Sequence, residues 1–190
     1  EKMDAMFTIM KDFEKTTRSD VRTIFFEPDH RFSEMHMELA EHYATVILRD
    51  WQREIVDVVL STPNSWAVHW AWDAVGNVGK TFLARHLMFH HDAIVVQLMK
   101  KDDMLHMLSK CITTTTRVIV FDLVRAAEHG EVDVVYEVIE MIKDQYLCSG
   151  KYDSTSKHLK PMHVFVFANF APDTTMMSAY RWHVHEIGSV

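Results

Sequence analysis

The sequence predicts an α/β fold: a mostly parallel sheet flanked by helices and preceded by a small helical segment. Three observations carry this. From Leu48 onward, short apolar stretches alternate with longer amphipathic ones, and strands alternating with helices imply a parallel sheet. The runs Val118-Ile119-Val120-Phe121 and His163-Val164-Phe165-Val166-Phe167-Ala168 are almost continuously apolar, as in strands covered on both faces. A third run, Trp66 to Trp72, leads into Gly76-Asn77-Val78-Gly79-Lys80-Thr81, a glycine-bearing junction between a strand and a helix.

Each element follows in order. Phe7, Met10 and Phe13 have helical spacing, Thr16 to Asp20 reads as a loop, and Glu27-Pro28-Asp29-His30 as a turn. Phe32 to Val46 is a second helix, so residues 1–46 form an N-terminal helical segment and 47–190 the main domain. Trp51, Ile55, Val58 and Val59 share one helical face, and that helix stops by Ser61-Thr62-Pro63-Asn64. Trp66 to Trp72 is a strand and Lys80 to Phe89 a helix. Ala93 to Leu98 is the next strand, followed by a helix through Met104 and Leu108. Val118 to Phe121 is a buried strand, Val134 to Ile142 a helix, and His163 to Ala168 another buried strand.

Composition bounds the function. The chain has 190 residues, 48% hydrophobic and 25% charged, with a net charge of -7, which describes a globular domain with a real core. No apolar run approaches the ~20 residues that span a bilayer, so no membrane partner is expected. Two cysteines, Cys111 and Cys148, are too few for a disulfide framework and fit a reducing, intracellular setting. The acidic balance argues against wholesale coating by nucleic acid, yet leaves room for a local basic element. A start at Glu1 suggests a piece of a longer chain.

The junction at 76–81 carries the chemistry. A phosphate chain needs inward-turned backbone N–H groups, a helix N-terminus behind them and one cation at the β/γ oxygens. Gly76 and Gly79 permit the tight backbone, with Asn77 and Val78 between them. Lys80 supplies the cation and the Thr81 hydroxyl can hold Mg2+. This makes the fold class a P-loop NTPase with ATP and Mg2+ as cofactors, although Ala74 stands where the pattern has its first glycine. Asp122, ending the run Val118 to Phe121, suits the second acid that positions Mg2+; it also suits a plain strand cap. Asn169, at the end of another buried strand, can orient an attacking water, or make an Asx-turn before Pro172. Arg181 can reach across a subunit boundary to transition-state charge, or lie on the surface. Between them, residues 149–161 are turn-rich and locally basic. Lys151, Lys157, His158 and Lys160 could grip single-stranded DNA there, with Tyr152 or His158 as a stacking face; a solvated loop is the bland alternative.

Taken as an ordered set, these motifs resemble the helicase domain of replication initiator (Rep) proteins of circular, Rep-encoding single-stranded DNA viruses and their satellites. The resemblance runs over about residues 46–187. It rests on Leu48-Arg49-Asp50-Trp51-Gln52, Trp72 to Thr81, Val120-Phe121-Asp122-Leu123-Val124-Arg125, Glu140 to Asp144, Ser149-Gly150-Lys151-Tyr152 and His163 to Asn169. It implies a superfamily 3 helicase with an AAA+-like sheet, a hexameric homo-oligomer, and 3′-to-5′ movement on single-stranded DNA. It further implies Walker A at Gly76 to Thr81, Walker B at Asp122, a sensor at Asn169, an arginine finger at Arg181 and a channel hairpin at Lys151 to Lys160. An oligomerisation role for residues before about 46, and the host nucleus as location for a viral protein, belong to the same expectation. The chain departs from the pattern where Leu123 replaces a second acid, Tyr180 replaces an Asp, and Gln145 replaces a common Gly. Glu128 and Glu140 are the candidates for activating water.

Other constellations have simpler readings. His86 and His90 lie four apart on a helix without the Glu of a zinc protease, so they read as polar-face residues. His183-Val184-His185 matches a nuclease-like pair but follows the ATPase motifs. Trp66, Trp70 and Trp72 could cover one strand face. Two rival functions remain from the sequence: a catalytically reduced scaffold binding nucleotide and DNA, and a P-loop kinase.

Overall fold

The computed structural model describes residues 30–123, 129–149 and 155–188. The expected elements at Phe7 to Phe13, Thr16 to Asp20 and Glu27 to Asp29, together with Arg125, Glu128, Lys151 and Tyr152, lie outside the described residues. The chain divides into two compact units, Glu1–Glu41 and His42–Val190. In the first, the described residues belong to helix α1 (His30–Thr45), whose last turn enters the second.

The second unit continues with α2 (Asp50–Leu60), β1 (Val68–Trp72), α3 (Lys80–His90), β2 (Ile94–Gln97), α4 (Lys101–Cys111) and β3 (Val118–Asp122). It is completed by α5 (His129–Lys143), β4 (Tyr146–Ser149), β5 (Thr155–His158), β6 (His163–Ala168) and β7 (Trp182–Glu186). Among the described residues, five strands form one parallel sheet in the order β2-β3-β6-β1-β7. The predicted α/β architecture is the observed one.

Side-chain alternation along β1 sorts the two layers. Val68 and Trp70 face a core shared with Met104, Leu105 and Leu108 of α4 and Val135, Val138 and Ile139 of α5. Ala71 faces the opposite core, built with Ile55 and Val59 of α2 and Leu83, Ala84 and Leu87 of α3. Central β6 is buried along its whole length, which explains its unbroken apolar run. Trp70 stacks on Tyr136, and its indole N–H donates to the Phe170 carbonyl at 3.0 Å. That bond ties down the chain leaving β6.

Three expectations need correction. Trp66 precedes β1 and is exposed, so only Trp70 and Trp72 share the strand face. Residues Trp182–Glu186, read from sequence only as a histidine pair with its neighbours, form the edge strand β7. Trp182 and Val184 alternate with His183, His185 and Glu186 at the strand period, but the segment is short and half-exposed because one side of an edge strand faces water. The basic stretch, read as a loop from its residues and as a hairpin at Lys151 to Lys160 from the resemblance, contributes β5 to a hairpin whose first strand, β4, begins earlier at Tyr146. Gln145 leads into that hairpin with φ 60, a left-handed conformation that glycine adopts without strain. The glycine expected at this position from the resemblance thus has a backbone reason.

Candidate functional site

Parallel strands bring the carboxyl ends of β1, β3 and β6 to one sheet edge, where open α/β folds bind ligands. The segment joining β1 to α3 begins with Asp73, only 3% exposed. Its carboxylate accepts the Gly76 N–H, closing a local turn of the kind Asp side chains make. Gly76, Asn77 and Gly79 are left-handed, with φ 88, 63 and 91, so the loop curls tightly before α3 begins. Gly79 is the N-cap of α3.

Lys80, 3% exposed, sits inside this curl. Its Nζ lies 3.5 Å from both the carboxylate and the carbonyl oxygen of Asp73. Burial pulls the ammonium below the ordinary lysine range, and the charges of Asp73 and then Asp122 restore part of that loss. Burial alone would raise the Asp73 carboxyl. The backbone amides of Gly76 and Val75, with Lys80 behind them, outweigh it and hold the group below the usual carboxylate range.

A cleft of about 450 Å³ opens over the loop, lined by Gly76, Asn77, Val78, Gly79, Lys80, Thr81, Phe82 and Asn169. Asn169 follows the last residue of β6, next to β1 in the sheet. Asp122 ends β3, in register with Phe167 of β6. The six junction residues and Asn169 therefore share one cleft, and Asp122 ends the neighbouring strand close enough to act on Lys80. Leu123, the residue after Asp122, is buried and donates its N–H to the Phe167 carbonyl at 2.8 Å.

The remaining candidates lie elsewhere. Arg181 ends a 3-10 turn immediately before β7, and Trp182 registers with Val68, the first residue of β1. Arg181 is thus at the amino edge of the sheet, the edge opposite the cleft. Buried, it pairs with Asp144 at 2.9 Å and Glu140 at 3.1 Å. Glu140, a candidate for activating water, is therefore engaged at the amino edge; α5 runs back across the sheet and carries its last turn away from the cleft. Lys157 turns inward on the hairpin, donating to the carbonyls of Ser109 and Ile112 at the end of α4, a helix terminus that favours a cation. His158 is exposed against Tyr146, and Lys160 is exposed beyond β5. Lys151 lies outside the described residues.

The histidines do not assemble a metal centre: among the described residues, no group of three or more His, Cys, Asp or Glu could hold a metal ion. His86 uses a ring nitrogen on the Tyr43 carbonyl at 3.2 Å. His183 and His185 flank His69 across the β1–β7 pair, with the His69 Nδ1 3.3 Å from the His185 Nε2. Burial, then His183 and His185, push the His69 imidazole down to about 3, so it is neutral at physiological pH. Among the described residues, no helix is long and apolar enough to cross a membrane.

Three residues at the site stand within the segments that carry the resemblance, but the sequence assigned them no role. Asp73 had a usable signal, an acid three residues before a loop glycine. Arg49, the residue before α2, and Gln52, on its first turn, reach the loop from far along the chain: Arg49 Nη1 donates to the Val78 carbonyl at 3.2 Å and Gln52 Nε2 to the Gly79 carbonyl at 3.0 Å.

No protein-family model matches the chain. Individual proteins do. Para-Rep C6 of Subterranean clover stunt C6 alphasatellite is 31% identical over 138 residues, covering 70% of this chain and 46% of that protein. The master replication protein of Faba bean necrotic yellows virus (isolate Syrian SV292-88) is 32% identical over 133 residues, covering 70% and 43%. The master replication protein of Subterranean clover stunt virus (strain F) is 27% identical over 190 residues, covering 94% and 63%. The chain spans about half the length of the curated relatives it matches. Its homologues are therefore replication-associated proteins of viruses and alphasatellites.

Proposed function

We propose that this chain is the ATP-driven helicase domain, of the superfamily 3 type, of a viral replication initiator. The single observation that carries the reading is the cleft, where the glycine loop, the buried Lys80 and Asn169 converge at the carboxyl edge of the sheet. The residues fit a triphosphate with Mg2+. Three left-handed loop residues shape a concave backbone, a helix N-terminus stands behind it, and Thr81 and Asp122 offer a hydroxyl and a carboxylate to the metal. When bound, Mg2+ supplies neutralisation of charge on the β- and γ-phosphate oxygens.

In this reading Lys80 leaves its long contacts with Asp73 to meet the phosphates. Asn169 orients the attacking water, and Arg181 completes the site of a neighbouring subunit in a ring, after release from Glu140 and Asp144. Single-stranded DNA binds the hairpin through Lys151, His158 and Lys160, with Lys157 bracing the hairpin on α4. The host nucleus is the compartment that a viral replication role would require.

A second reading, a scaffold that binds nucleotide and DNA with little turnover, draws on the buried Leu123 and on the intrachain pairing of Arg181. Steady-state ATP hydrolysis with and without single-stranded DNA separates the two. Helicase function predicts DNA-stimulated turnover that Lys80→Ala abolishes. Equal hydrolysis by the two proteins would remove the assignment; tight ATP binding without turnover would favour the scaffold.

A further inference from the structure

We infer that Arg49 and Gln52 form a clamp that orients the backbone of the loop for phosphate, making them positioning residues of the nucleotide site. The inference rests on the cleft being a triphosphate site. Gln52 is 3% exposed, although glutamine is ordinarily a surface residue. Its Oε1 accepts the Arg49 N–H at 2.9 Å, which caps α2 and fixes the direction of the amide. Its Nε2 then donates to the Gly79 carbonyl at 3.0 Å. That carbonyl already accepts the Leu83 N–H at 3.0 Å as the first bond of α3. A second donor is therefore not needed to satisfy it; the bond fixes its direction.

Arg49 does the same one residue earlier, at the Val78 carbonyl. In a planar trans peptide the C=O and the following N–H point in opposite directions. Drawing the carbonyls of Val78 and Gly79 toward α2 thus turns the N–H groups of Gly79 and Lys80 away from it. Both residues line the cleft, and such paired N–H groups bind anions. The clamp also closes the space over Gly79: a Cβ there would lie 2.8 Å from Gln52 Nε2, at a residue whose φ of 91 already disfavours a side chain. Glycine at this position answers to the clamp as well as to the turn.

The test is titration of a fluorescent ATP analogue with Mg2+ into the full chain, with inorganic tripolyphosphate as competitor. Gln52→Ala and Arg49→Ala should each weaken both ligands about tenfold, because the clamp acts on phosphate recognition. Arg49→Lys, which keeps a donor, should recover most of the loss. Asp57→Ala, an exposed position on the same helix, serves as control and should bind as wild type does. Melting temperatures of the Arg49 variants should stay with the control, since Arg49 is exposed. Wild-type affinity in Arg49→Ala, or equal loss in Arg49→Lys and Arg49→Ala, would overturn the clamp while leaving the cleft assignment intact. If Gln52→Ala melts early, the Arg49 pair decides alone. Failure of wild type to bind, by contrast, would overturn the cleft assignment and the clamp with it.

Discussion

Each edge of the parallel sheet buries a lysine, and the two edges treat it differently. At the carboxyl edge Lys80 meets Asp73 at 3.5 Å, the long limit of a hydrogen bond. At the amino edge Lys143 donates to the carbonyls of Met162 at 2.8 Å and Asn64 at 3.1 Å, with no acid among these partners. Burial, with the neighbouring Arg181 charge adding to it, pushes Lys143 down to about 7. Lys80 has acids to hold its charge but only loose bonds; Lys143 has tight bonds, to carbonyls rather than to acids. The first arrangement suits a cation that must turn to a ligand. The second suits a strut joining the end of α5 to the chain segments before β1 and β6.

The largest expected effect breaks the carboxyl edge. Asp73→Ala removes the acid beside a buried ammonium and frees the Gly76 N–H, and should cost about 3 kcal/mol in urea denaturation. It should also abolish the proposed nucleotide binding, because the loop loses its internal brace. A cost below about 1 kcal/mol would mean that Lys80 does not depend on its counter-charge.

The amino edge should respond to pH instead. The Lys143 amine has a folded pKa near 7, below its unfolded value of about 10.4. Above pH 7 the unfolded chain therefore binds more protons at this residue than the folded chain. Stability from this group rises with pH across that window and is lost as pH falls back toward 7. Between pH 7 and 9 the wild type should gain on the order of 2 kcal/mol relative to Lys143→Met. Parallel pH profiles for the two proteins would show that Lys143 stays charged.

Two smaller effects sharpen the comparison at the amino edge. Arg181→Ala leaves Glu140 and Asp144, whose side chains are 33% and 64% exposed and can return to water. Its cost should be about 1 kcal/mol, far below that of Asp73→Ala; a cost as large would mean that the amino-edge pair is as structural as the carboxyl-edge one. Gln145→Gly relieves a left-handed backbone just after α5, where the carboxyl edge already spends two glycines. It should stabilise by about 0.5–1 kcal/mol, read from the denaturation midpoint.

Much of the fold was legible because its signals are local. Val118 to Phe121 and His163 to Ala168 announce buried strands, and the structure buries all of these residues. The strand-to-helix junction at 76–81 was legible for the same reason: glycine, lysine and threonine act within a few residues of each other. β7 was legible only as a histidine pair, since Trp182 and Val184 give just two apolar positions in a five-residue alternation, and pairing with β1 is what makes it a strand. Lys157 looked like part of a basic surface, and nothing near it in sequence reveals that the ends of α4 and β5 meet.

The sequence by itself determined the order of α2, β1, α3, β2, α4, β3, α5 and β6, the position of the glycine loop, Lys80 at the start of α3, and Asp122 and Asn169 at strand ends. Periodicity and loop chemistry depend on neighbours, so one chain read in order suffices. Only the tertiary structure decided that Arg49 and Gln52 grip a loop 29 and 27 residues away, that Arg181 sits at the opposite edge from the cleft, and that Glu140 is its partner. Those contacts form when the chain returns on itself. Which carbonyl a glutamine reaches is set by how α2 packs on the sheet, and no local pattern encodes it.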